Sequence, residues 1–164
     1  MQVFQTVHDI LKFNSQKNPD KVTISVNGLH CTNAEILKNV ATLVEFLNKS
    51  EVSPGDRVAF LAKNSSEFIE LMYASSILEL VMVPINFRLA YEEVKFIIQD
   101  SGSKIIIFSE EFREIVEKVN SDKTDLQLSL GVSELGELLK AKSSGALDVS
   151  LYSNKATNTP LFQM

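Results

Sequence analysis

Three short apolar runs, each followed by a helix-like pattern, constrain the fold of this 164-residue chain more than any other feature. The runs are Val58 to Leu61, Val81 to Val83 and Lys104 to Phe108. The last run contains three consecutive isoleucines, which suits a strand that is covered on both faces. Strands that alternate with helices run parallel to one another in the sheet. The sequence therefore predicts an α/β fold with a largely parallel sheet and flanking helices.

Capping and turn residues mark the other elements. Asn18-Pro19-Asp20 ends a first apolar helical face, and Asn27-Gly28 is typical of a two-residue hairpin turn. Thr32 and Glu35 have the spacing of a capping box, in which two side chains satisfy free backbone N–H groups. Six helices are predicted. They are residues 3–13, a helix capped by Thr32, a helix that is capped by Asn64 and ends near Leu80, residues 91–99, residues 110–120, and a helix that begins at Ser133.

The regular pattern weakens after about residue 109, which sets the expected domain organisation. A short strand is expected from Leu126 to Leu130. Residues 143–159 are rich in Ser, Asn, Thr and Ala, a composition typical of a linker, and the last four residues have the pattern of a strand that has just begun. We therefore predict an α/β subdomain over residues 1–142, followed by a linker and the start of a strand over residues 143–164.

Charge and hydropathy limit the partners and the location. The net charge is −5 and the 16 basic residues are spread along the chain, so we expect no nucleic-acid partner. No apolar run approaches the roughly 18 residues that a transmembrane helix needs, so no transmembrane segment is expected. The first residues lack a basic stretch followed by an apolar run, which makes a secretory signal improbable. Together these features predict a cytoplasmic protein.

Few residues have the spacing that catalysis or metal binding requires. The six glycines include no Gly-x-Gly pair that could hold a pyrophosphate at a helix start. His8 and His30 have no cysteine, histidine or carboxylate at metal-ligand spacing. No serine lies in a Gly-x-Ser-x-Gly turn. We therefore predict no catalytic residue and no metal ligand in this chain.

Several short motifs occur in a fixed order between residues 18 and 107. They are Asn18-Pro19-Asp20-Lys21-Val22, Thr32 with Glu35, Val52-Ser53-Pro54-Gly55-Asp56-Arg57-Val58, Asn64-Ser65-Ser66-Glu67-Phe68, Pro84-Ile85-Asn86-Phe87-Arg88-Leu89, Glu93, and Ser101-Gly102-Ser103-Lys104. In this order and at these spacings they resemble the acyl-CoA synthetase branch of the AMP-forming, adenylate-forming ligase family. Asn86 favours an acyl-CoA or aryl-CoA ligase, because the amino-acid-activating peptide synthetase domains commonly carry aspartate there.

The resemblance implies both a fold and a function. The chain is similar to the N-terminal subdomain of an ATP-dependent carboxylic acid:CoA ligase, and its last residues are similar to the strand that leads into the family's phosphate-binding loop. The complete enzyme would use ATP, Mg²⁺ and CoA as cofactors, with a carboxylic acid and CoA as its substrates. Because the loop that holds the ATP phosphates would follow Met164, no cofactor is expected in this chain, and the chain alone is expected to be catalytically inactive.

Arg88 is the one candidate binding residue. It follows a strand-ending proline, in a loop at the expected carboxyl end of a parallel strand, where open α/β sheets bind ligands. The resemblance implies that its guanidinium contacts a phosphate of CoA, a contact for which a planar, bidentate cation is well suited. The alternative is a structural arginine that pairs with Glu92 or Glu93.

A second class of function stays open at this stage. The chain could be a free-standing, non-enzymatic module that kept the subdomain fold and binds protein partners. An unfinished sheet edge could pair with another chain, so self-association is a further expectation. The coding DNA after Met164 distinguishes the two classes, because a Tyr-Thr-Ser-Gly-Thr-Thr-Gly run there would favour the ligase.

Overall fold

A computed structural model describes residues 4–122, 124–141 and 160–163. Helices and strands alternate along most of this length, as the sequence predicts. A single 3-10 turn, Glu110–Phe112, precedes the fifth helix. In chain order the elements are α1 (Val7–Lys17), β1 (Val22–Val26), β2 (Leu29–Thr32), α2 (Asn33–Lys49), β3 (Arg57–Leu61), α3 (Ser66–Leu78), β4 (Val81–Pro84), α4 (Tyr91–Ser101), β5 (Ser103–Phe108), α5 (Arg113–Ser121), β6 (Leu128–Gly131) and α6 (Val132–Ala141).

The main sheet of the described residues is parallel throughout. Its strands lie in the order β4-β3-β5-β6, and β1 and β2 form a separate antiparallel hairpin. Val58 of β3 lies opposite Met82 of β4 on one side and Ile105 of β5 on the other. The predicted α/β class is therefore confirmed. Because the strands are parallel, the loops that follow them meet at one edge of the sheet, which we call the carboxyl edge.

Both faces of the sheet are covered by helices. Alternate residues of each strand point to opposite faces, so Phe60 and Ile107 contribute to one core while Leu61 and Ile106 contribute to the other. Helices α1, α2, α3 and α6 cover the first face, and α4 and α5 cover the second. The isoleucine run of β5 is thus explained, because every residue of this strand from Ile105 onward is buried.

Two local predictions are confirmed in detail. Asn27 and Gly28 both have positive φ, 51° and 79°, as a two-residue hairpin turn requires. At the start of α2, the Glu35 N–H donates to Thr32 Oγ1, and Glu35 Oε2 accepts from the Thr32 N–H at 2.8 Å. These features depend on residues a few positions apart, which is why the sequence is sufficient to predict them.

Three predicted helix starts need correction. The first helix begins at Val7 and not at residue 3, because Thr6 forms a reciprocal capping box with Asp9. The cap residue of α3 is Ser65 and not Asn64, and the Ser65 hydroxyl makes no capping hydrogen bond. Helix α6 begins at Val132, one residue before the predicted start.

The end of α3 is formed by a residue that is unusual in that position. Glu79 has a φ of 58°, a left-handed conformation in which glycine is the usual residue. Leu80 then enters the core with 1% of its surface exposed, and its N–H donates to the Ser75 carbonyl at 2.9 Å. A large side chain at position 80 is therefore accommodated between α3 and β4.

Residues 160–163, which we call the returning segment, lie against the edge of the sheet. Phe162 forms a parallel bridge with Met82, at the outer edge of β4. The predicted linker, residues 143–159, lies outside the described residues, and so does Met164. The division into residues 1–142 and 143–164 therefore stays a prediction.

Candidate functional site at the carboxyl edge

The loop after β4 forms a closed turn at the carboxyl edge. It begins at Ile85, whose N–H donates to the Phe60 carbonyl at 2.9 Å. Asn86 Oδ1 accepts from the Arg88 N–H at 3.0 Å, and the Leu89 N–H donates to the Asn86 carbonyl at 3.1 Å. An asparagine that bonds the backbone two residues ahead stabilises such a turn. The backbone of the loop is therefore held in place before any ligand arrives.

Arg88 is exposed at the tip of this turn. Its guanidinium carbon lies 5.4 Å from the centre of the Phe87 ring. The alternative structural pairing is not formed, since no ion pair joins Arg88 to Glu92, Glu93 or any other described residue. Glu93 instead accepts from the Ala90 N–H at 2.9 Å and caps α4. The charge of Arg88 is thus available to an anionic ligand.

Two other cations follow strands at this edge, and carboxylates pair with both. Lys63, after β3, lies 3.1 Å from Glu111. Arg113, after β5, donates to both oxygens of Glu110 at 2.8 and 2.9 Å. Of these three cations, Arg88 is the one without a carboxylate partner among the described residues. An unpaired guanidinium at this edge can bind a phosphate through two parallel hydrogen bonds.

The described residues show no site for a metal. In residues 4–122, 124–141 and 160–163, no group of three or more His, Cys, Asp or Glu side chains could hold a metal ion. None of the helices in these ranges has the length and apolar character needed to cross a membrane.

Two of the sequence motifs meet at the opposite, amino edge of the sheet. Asp56 Oδ1 lies 2.9 Å from Lys104 Nζ, and Asp56 Oδ2 accepts from the Ser53 N–H at 2.8 Å. Burial alone would raise the pKa of Asp56, but the hydrogen bonds from Lys104 and Ser53 hold it below its usual range. Arg57 Nε donates to the Ser101 carbonyl at 2.6 Å. These contacts therefore join the starts of β3 and β5.

Sequence reasoning missed a buried acid, Glu70. Glu70 of α3 is 2% exposed, and its Oε1 accepts from Asn39 Nδ2 at 2.7 Å. It lines a cleft of about 280 Å³ together with residues of β2, α2 and α6. Burial raises the pKa of the Glu70 carboxyl to about 7. Its spacing from buried Ala74 and Ile77 is that of one helical face, and this pattern could have identified it.

Comparison with known proteins agrees with this architecture. The family model described as "AMP-binding enzyme" matches residues 11–160. A fatty acid–[acyl-carrier-protein] ligase, ScoC, from Streptomyces coeruleorubidus is 30% identical over 79% of this chain and 25% of its own length. A feruloyl-CoA synthase from Amycolatopsis sp is 34% identical over 62% of this chain and 21% of its own length. The chain thus spans a quarter or less of the length of these curated relatives.

A solved structure shows the same fold. The N-terminal domain of FACL13 from Mycobacterium tuberculosis matches with a TM-score of 0.83 and 28% identity, over 99% of this chain and 41% of that domain. Since the family model covers most of the sequence, the chain belongs to the AMP-binding enzyme family.

Proposed function

We propose that the chain supplies the N-terminal subdomain of an ATP-dependent carboxylic acid:CoA ligase. Such an enzyme joins a carboxylic acid to AMP and then transfers the acyl group to the thiol of CoA. The family match and the names of the curated relatives support this proposal, because one relative is named a fatty acid–[acyl-carrier-protein] ligase and the other a feruloyl-CoA synthase. ATP, Mg²⁺ and CoA would be the cofactors of the complete enzyme.

The observation that carries the proposal is the direction of the returning segment. Phe162 forms a parallel bridge with β4, so residues 161–163 run toward the carboxyl edge, where Arg88 lies. A phosphate-binding loop that followed this segment would therefore lie beside Arg88.

The 164-residue chain is expected to show no adenylation activity by itself. Adenylation requires donors that stabilise the leaving pyrophosphate, and loss of one such donor commonly costs about 100-fold to 1,000-fold in rate. Acid-dependent exchange of labelled pyrophosphate into ATP measures this half-reaction without CoA. We expect no exchange above that of a heat-denatured sample. Exchange by the native chain would show that it contains a phosphate site of its own.

The coding DNA beyond Met164 provides the matching positive test. If it encodes a Tyr-Thr-Ser-Gly-Thr-Thr-Gly run, the product of the extended frame is expected to catalyse the exchange. If the run is present and the extended product still shows no exchange with any carboxylic acid, the ligase proposal fails. An unrelated downstream sequence would favour the protein-interaction module instead.

Arg88→Ala is expected to weaken CoA use in the extended product. We propose that Arg88 contacts a phosphate of CoA, and a hydrogen bond to a charged group contributes about 1.5–3 kcal/mol, so the KM for CoA should rise about 10-fold to 100-fold. Pyrophosphate exchange should not change, because that half-reaction needs no CoA. Lys63→Ala, which removes a paired cation at the same edge, is the control. An unchanged KM for CoA would rule out the contact.

Three expectations from the sequence stay predictions. A cytoplasmic location, self-association of the chain and the absence of a nucleic-acid partner are not tested by the fold or by the relatives. The self-association prediction concerns the apolar Leu161-Phe162 end, which lies beside Met82 of β4 through two backbone hydrogen bonds.

A further inference from the structure

Three aromatic rings connect the returning segment to the core of the sheet. The Phe60 ring, in β3, is 3% exposed and packs edge-on against Phe68, with ring centres 5.3 Å apart. Phe68 lies in the first turn of α3, and its other neighbour is Phe162. The Phe68 and Phe162 rings are stacked at 21°, with centres 6.5 Å apart. We call Phe60, Phe68 and Phe162 the aromatic stack.

Few backbone contacts hold the returning segment. The Met82 N–H donates to the Leu161 carbonyl at 2.7 Å, and the Gln163 N–H donates to the Met82 carbonyl at 2.8 Å. The register of a strand is set mainly by which of its side chains are buried on one face of the sheet. Phe162 is still 40% exposed, so burial of its side chain is incomplete. The stacked Phe68 ring adds a side-chain contact to these two hydrogen bonds.

The register of the returning segment on β4 determines which of its residues lies nearest the carboxyl edge. Phe162 lies opposite Met82, two residues before Pro84 and the loop that carries Arg88. A slip of two residues would keep Phe162 on the same face but move the segment by about 6.6 Å along the sheet. Such a shift exceeds the reach of any hydrogen bond between the following residues and a ligand beside Arg88.

We infer that Phe68 is a positioning residue: its ring fixes the register of residues 160–163 on β4 and so sets where the following chain meets the Arg88 loop. This inference rests on the proposed function for its significance, since the following chain is proposed to bind phosphate. The contact itself needs no ligand. Phe68 lies at the start of α3, so one side chain links the helix, the central strand and the returning segment.

Amide hydrogen exchange measured by NMR on the 164-residue chain tests the inference. Phe68→Leu keeps an apolar side chain but removes the ring, and the Met82 and Gln163 amides should then exchange about fivefold faster. The Ile85 and Ser109 amides, which bond to Phe60 and Leu61, should keep their rates. Phe68→Tyr keeps the ring and should restore slow exchange. Phe96→Leu, which alters a ring that is 65% exposed on α4, is the matched control.

Two outcomes would overturn the inference. Equal acceleration of all four amides would make Phe68 an ordinary core residue, and unchanged Met82 and Gln163 amides would show that the ring does not hold the segment. If Phe68→Leu fails to fold, Phe162→Leu at the exposed end of the stack must give the same local acceleration. Because pyrophosphate exchange is measured separately, the register inference and the proposed function can fail independently.

Discussion

Glu70→Gln is expected to stabilise the protein above pH 8 by about 2–3 kcal/mol and to have little effect near pH 5. Glu70 is almost fully buried, and burial raises the pKa of its carboxyl to about 7. Glutamine can still accept the hydrogen bond from Asn39. The variant therefore removes the cost of a buried charge and retains the contact between α2 and α3.

The sign of the effect follows from proton binding in the two states. The pKa of Glu70 is about 7 in the folded protein, against 4.5 for the free side chain. Its contribution to stability is therefore complete below about pH 4.5 and is lost as the pH rises through 7. The neighbouring carboxylate of Glu67 adds to the rise in pKa, because two like charges are unfavourable at short distance.

Urea unfolding between pH 5 and pH 9 measures this prediction. The difference in unfolding free energy between Glu70→Gln and wild type should grow with pH and level off above about pH 8. Burial lowers the pKa of His8, so His8 destabilises the fold as the pH falls, but it does so equally in both proteins. Glu92→Gln, at an exposed position of α4, is the control. A difference in unfolding free energy between wild type and Glu70→Gln that does not change with pH would contradict the prediction.

Arg57→Ala is expected to lower the unfolding free energy by about 3 kcal/mol. The Arg57 side chain donates to the Ser101 carbonyl at 2.6 Å and to the Gly55 carbonyl at 3.1 Å. Removing it leaves the carbonyl of Ser101, a residue that is 5% exposed, without this donor. The guanidinium also lies over Gly102, where an added Cβ would be 2.8 Å from Arg57 Nη2.

Thermal and urea unfolding of matched variants measure the contribution of this contact. Arg57→Lys keeps the charge but lacks the planar fork, so it should recover only part of the lost stability. Lys21→Ala, at an exposed position, should change stability by less than about 0.5 kcal/mol. A loss below about 1 kcal/mol in Arg57→Ala would show that water replaces the guanidinium at both carbonyls.

Local features of the fold follow from the sequence because they depend on neighbouring residues. A few adjacent positions are enough to predict the capping box at Thr32, the turn at Asn27-Gly28 and the buried strand that contains the isoleucine run. The exact ends of the helices are harder to predict from the sequence. At α3 the sequence predicts Asn64 as the cap, and the structure starts the helix after Ser65. Either residue type can cap a helix, so packing makes the choice.

The sequence predicts only part of the candidate site. The sequence places Arg88 after a strand-ending proline, and this position predicts the carboxyl edge. Whether Arg88 pairs with Glu92 or Glu93 depends on side-chain geometry across a helix start. Glu93 accepts from the Ala90 N–H instead, and Arg88 forms no ion pair with any residue that the structure describes. The burial of Glu70 likewise depends on helices that are distant in sequence.

The sequence by itself determined the α/β class, the parallel direction of the strands and the family resemblance, because hydrophobic period and local motifs carry that information. The tertiary structure alone decided which motifs meet. It joins Arg57 to Ser101 at the amino edge, stacks Phe162 on Phe68, and buries the carboxyl of Glu70 against Asn39. These contacts link residues 31 to 94 positions apart, and such pairings arise only when the strands and helices have packed into a common core.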